Sequence, residues 1–83
     1  MEKVDQSPPI VSITPSDTTI YIPPLVGVRV GTTAGDITVV SGGETVLIPD
    51  VQVGETLPGS INQVLATGTD AVGITGWQWK NLN

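Results

Sequence analysis

Val, Ile and Thr fill 31 of the 83 positions, and that bias constrains the fold more than any motif does. A side chain branched at Cβ loses rotamer freedom in a helix and fits well on a pleated surface. Phe is absent, Leu occurs five times and Met only at the start. Ten Gly and seven Pro are spread along the chain, where they break helices and make turns. The expectation is an all-β fold, a small antiparallel β-sandwich or barrel of about seven short strands.

Composition then removes whole classes of chemistry. There is no His and no Cys, so the usual zinc sites, thiol nucleophiles, disulfides and Ser-His-Asp triads are not expected. The net charge is -5, with only Lys3, Arg29 and Lys80 positive. A phosphate-binding surface needs clustered Lys and Arg, so nucleic acid is not an expected partner. No stretch reaches the roughly 18 apolar residues of a membrane-spanning helix, and residues 1–6 lack the apolar run of a signal peptide. A core this small contributes only about 3–5 kcal/mol. Small domains without disulfides or metal often gain further stability by oligomerising.

Along the chain, residues 1–9 are polar and end in Pro8-Pro9, which reads as an extended arm. Residues 10–79 form the β domain, and residues 80–83 a short polar tail. A first strand is expected over Ile10 to Thr14, a turn at Pro15-Ser16-Asp17, and a second strand over Thr18 to Ile22, closed by Pro23-Pro24. Leu25 to Val30 alternates, with Val26, Val28 and Val30 on one side and Gly27 and Arg29 on the other. Gly31 to Gly35 reads as a loop. Asp36 to Ser41 and Glu44 to Ile48 flank Gly42-Gly43, a pair that tolerates the positive φ of a type I′ hairpin. Pro49 to Pro58 reads as a connector, with Val51 and Val53 as a short edge strand. Ile61 to Thr67 and Val72 to Trp79 complete the strands, separated by a turn at Gly68-Thr69-Asp70.

Few residues suggest a site. Five of the eight carboxylates sit beside Gly, Pro or Ser, where they serve turns. The Gly-rich runs Gly31 to Gly35 and Gly42-Gly43 lack the continuation of a phosphate-binding loop. No catalytic constellation, cofactor site or metal site is expected. In the hairpin, Ile37 and Val39 line one face of the first strand, and Val46 and Ile48 one face of the second. Val40 and Leu47 add apolar groups on the opposite faces, which suggests burial on both sides or a subunit contact there. Val39, Val40, Val46 and Leu47 are therefore candidates for subunit or partner contacts. Trp77 and Trp79, two apart on a strand, share a face. They suit the covering of one end of a core otherwise lacking large side chains, or a subunit contact, where Trp is favoured, or alternatively a sugar-stacking platform in a small carbohydrate-binding or adhesion module.

Several phrases fall in a telling order: ITPSDTT over Ile13 to Thr19, GTTAGD over Gly31 to Asp36, SGGE over Ser41 to Glu44, GETLP over Gly54 to Pro58, and VLATGT over Val64 to Thr69. In this order the chain resembles the head-spike base proteins of tailed phages and gene transfer agents, over about Ile13 to Ile74. The match is poor over Tyr21 to Arg29. The resemblance implies a structural virion protein, a homo-oligomeric ring, by analogy a pentamer, at a capsid vertex. It implies the major capsid protein and a spike or fibre protein as partners. A tail or baseplate component would use the same kind of β domain.

Overall fold

The computed structural model describes residues 9–79. The expected arm at residues 1–9, apart from Pro9, and the tail at residues 80–83 lie outside them. Seven strands follow in order: β1 (Ile10–Ser12), β2 (Leu25–Thr33), β3 (Gly35–Ser41), β4 (Glu44–Val51), β5 (Thr56–Ile61), β6 (Gln63–Leu65) and β7 (Val72–Gln78). Among the described residues there is no helix. The strands pair antiparallel in two sheets, a four-stranded one ordered β1-β7-β2-β5 and a three-stranded one ordered β4-β3-β6. The chain changes sheets four times, twice through a single residue: at Ala34, between β2 and β3, and at Asn62, between β5 and β6. The expected Gly31 to Gly35 loop therefore shrinks to one residue, and the expected Ile61 to Thr67 strand is split by a corner.

Inward side chains from both sheets form one aliphatic core. Leu25, Val28 and Val30 of β2 meet Ile37 and Val39 of β3, Val64 of β6 and Ile74 of β7, and all are buried. Val26 does not join Val28 and Val30 as its spacing suggests. The pairing of β2 with both neighbours shifts register between Leu25 and Gly27. A register irregularity reverses the faces beyond it. Leu25 is thereby buried, and Val26 turns out to solvent.

The central hairpin forms as expected. Ser41 pairs with Glu44 across Gly42 and Gly43, whose φ values of 60° and 84° suit a type I′ turn. Ile37 faces Ile48, and Val39 faces Val46. β4 runs past Ile48 through Pro49, beyond its expected end. It is an edge strand, where a residue lacking an N–H is tolerated. Asp50 adopts a φ of 57°, and the register shifts between Gly35 and Ile37. The kink returns Val51 to the core. Pro58 is accommodated in the same way on β5, the edge of the other sheet. Val53, expected on a strand with Val51, lies in the exposed link between β4 and β5.

Thr18 to Ile22 does not form a strand. The Ser16 hydroxyl accepts the amides of Thr18 (3.2 Å) and Thr19 (3.3 Å). That local turn competes with a sheet ladder. The segment becomes a strap beside β6, held where the Ser16 amide donates to the Val64 carbonyl (2.8 Å) and the Tyr21 amide to the Asn62 carbonyl (2.7 Å). The Asp17 carboxylate accepts the Thr67 amide (3.0 Å) and the Thr67 hydroxyl (2.7 Å). It thus ties the strap to the turn after β6.

These bonds, the Thr67 amide first, hold the Asp17 pKa below its ordinary value. The unfolded chain titrates in the ordinary range, so the stabilisation is complete above it. It is lost as pH falls through the ordinary value towards the lowered folded one. Asp17→Asn should melt below the wild type at neutral pH. The gap should hold down to about pH 5 and shrink below about pH 4. Thermal melts across pH test this, and a gap that stays constant in acid would show that the carboxylate is not the tie.

Candidate functional site

Several polar side chains are occupied by the backbone. Asp36 Oδ1 accepts the Asp50 amide (2.9 Å), and Glu55 Oε1 accepts the Gln52 amide (3.0 Å). With Asp17, these carboxylates cap turns. Among the described residues no group of His, Cys, Asp or Glu could hold a metal ion. What remains for function is apolar surface, and three such surfaces lie on the sheets.

The first is a groove of about 200 Å³ at the side of the sandwich where β4 stands over β5. Val39 forms its buried floor, Val46 and Ile48 one wall, and Leu57 and Pro58 the other. The second surface is the outer face of the three-stranded sheet. Leu47, opposite Thr38, is exposed there, and Val40, opposite Thr45 and Gln63, is half-buried. The four hairpin residues singled out from sequence are thus divided between two sides of one sheet.

The third surface is the outer face of the four-stranded sheet. Ile10, Trp77, Gly27 and Pro58 lie in register across β1, β7, β2 and β5. A Cβ on Gly27 would meet Trp77 Cε3 at 3.4 Å and the Leu57 carbonyl oxygen at 3.2 Å. Trp77 therefore lies close over Gly27 and is itself half-buried. Trp79 follows the end of β7 and is exposed. Arg29, in the next row between Thr75 and Thr56, is an exposed cation of this face.

Sequence reasoning missed Ile10, Gly27 and Pro58 as one row, because the pairing that aligns them is non-local. It also missed Ile20 and Ile22, which are exposed on the strap. Reading Thr18 to Ile22 as a strand hid them, although the Ser-Asp-Thr-Thr run before them was a signal for a side-chain-closed turn.

The site is thus a set of apolar faces on a small two-sheet β domain. No protein-family model and no curated protein matches the chain. Among solved structures, it is similar to a chain in the capsid of a native GTA particle computed with C5 symmetry. The two are 36% identical with a TM-score of 0.73, over 87% of this chain and 83% of that one. The chain belongs to the family of that capsid component, and it is a structural virion protein of the gene transfer agent and phage kind.

The close approach over Gly27 gives a direct test of the third surface. Gly27→Val should push the Trp77 ring off the sheet. In a Trp79→Phe background, which leaves Trp77 as the sole indole, the emission should shift to the red and iodide quenching should rise. Unchanged emission would show that Trp77 does not rest on Gly27.

Proposed function

We propose that this chain is the base of a head spike, an adaptor that forms a homo-oligomeric ring at a capsid vertex. In this reading it sits on the major capsid protein and holds a spike or fibre protein. The observation that carries the reading is the likeness to a capsid component of a particle with C5 symmetry. Five-fold symmetry makes a pentamer the natural ring. The order of the TPSDTT, GTTAGD, GETLP and VLATGT phrases supports the base in particular.

The physical chemistry agrees with an assembled state. The core holds no side chain larger than Leu or Ile, and a domain of this size gains stability from its neighbours. Separate apolar surfaces let one chain touch a neighbouring copy, the capsid and a spike at once. In this reading the outer hairpin face with Val40 and Leu47, and the face with Trp77 and Trp79, are partner contacts. Residues 1–9 serve as an arm on the capsid. The acidic charge (net -5) keeps the ring off packaged nucleic acid.

The mass of the purified chain, by native mass spectrometry or light scattering, tests the ring. A value near five multiples of 8.6 kDa is expected, and a strict monomer at all concentrations would count against it. Deleting residues 1–9 should leave the circular dichroism spectrum unchanged while lowering occupancy on particles. Full occupancy without those residues would remove the arm from the account.

A further inference from the structure

The ring reading leaves open which surfaces join one copy to the next. Resting on that reading, we infer that copies meet head to tail, with Ile20 and Ile22 on the strap of one seated in the β4–β5 groove of the next. The groove's volume is about 200 Å³, below the roughly 300–1,000 Å³ of small-molecule sites. An apolar cavity of about 150 Å³ takes one benzene, so this groove has room for one or two aliphatic side chains. Its walls, Val46, Ile48, Leu57 and Pro58, are apolar.

The strap supplies side chains of that kind. Ile22 is 75% exposed and Ile20 59%, the former the most exposed large hydrophobic among the described residues. Their backbone is preset by the Tyr21–Asn62 hydrogen bond (2.7 Å) on one side and by Pro23-Pro24 on the other. A preset knob forfeits little conformational entropy on docking.

Position and charge favour a second copy as the occupant. In the three-stranded sheet the strap lies outside β6, whereas the groove opens between β4 and β5, with Val39 and Ser41 of β3 and Ile61 of β5 also lining it. Two different surfaces of one chain make a heterologous contact, and repeating it closes a ring when the rotation allows. The chain carries a net charge of -5, so identical copies repel. The groove lining and residues 18–24 contain no charged side chain, so this contact buries no like-charged pair.

Complementation tests it on the full chain. Ile22→Asp spoils the strap and leaves the groove intact. Val46→Asp does the reverse. Both positions are exposed, and circular dichroism confirms that each variant folds. Each alone should fall to 8.6 kDa. Mixed, they should form a 1:1 pair that grows no further, because its remaining strap and groove are both spoiled. A second measurement uses the absence of native cysteine. Ile22→Cys and Val46→Cys copies, mixed and oxidised, should cross-link much faster together than either does alone.

If both Asp variants keep the wild-type oligomer mass, the contact lies elsewhere and the inference falls while the ring stands. If the wild type is monomeric and the Cys copies do not cross-link preferentially, the ring reading falls with it. Preferential cross-linking of a monomeric wild type supports the contact as one too weak to hold a ring in solution.

Discussion

At Asn62 the backbone of one residue joins three parts of the molecule. Its amide donates to the Val40 carbonyl (2.8 Å) in the three-stranded sheet, and its carbonyl accepts the Tyr21 amide (2.7 Å) of the strap. Its neighbour Ile61 still pairs with Leu25 in the four-stranded sheet. A sandwich with a thin aliphatic core has little contact area to hold its layers in orientation. Here the backbone supplies the orientation. The chain is paired first with β2 and then with β3, so the sheets cannot slide without breaking ladder hydrogen bonds. The strap is placed by the same residue, and its exposed isoleucines inherit that placement.

The family phrases acquire a physical meaning in this frame. TPSDTT and VLATGT lie far apart in sequence, yet Asp17 of the first holds Thr67 of the second through two hydrogen bonds. Thr38 donates its hydroxyl to the Gly68 carbonyl (3.1 Å), and its amide donates to the Thr69 hydroxyl (3.0 Å). The turn after β6 is thus fixed on both sides. Two of these phrases thus meet at residues that close the sandwich.

How much was legible in the sequence depended on whether a signal was local. The hairpin could be read because alternation, Gly42-Gly43 and the two-residue turn all act within a few positions. The side of Val26 could not, because the register shift beside Leu25 is set by pairing with β5 and β7 at once. The strap was misread since Thr, Ile and Tyr carry strand propensity, while the Ser16 hydroxyl that closes a turn ahead of them redirects the backbone. Pro49 looked like a strand end and sits inside β4, which an edge position permits. For the candidate contacts, the residue types could be read but not their distribution. Val39, Val46, Val40 and Leu47 are close in sequence and separate in space. Trp77 was visible as an aromatic, but the glycine beneath it was identified only by cross-strand register.

The edges of the sandwich bear on how such a domain associates. A free strand edge ordinarily invites another backbone to pair with it. β4 carries Pro49 and β5 carries Pro58 with Gly59 beside it, so each lacks a ladder donor. Backbone pairing tolerates register slips and different partners, because every strand offers the same groups. With that route weakened at the open side, association there depends on side chains fitting side chains. The apolar groove between the two edges can then select for shape, while the net charge of -5 opposes indiscriminate approach of further copies. Blunted edges and a high acidic charge thus act together. They disfavour sheet-to-sheet aggregation in a chain more than a third of which is β-branched, and they leave a restricted set of apolar surfaces through which ordered assembly can proceed.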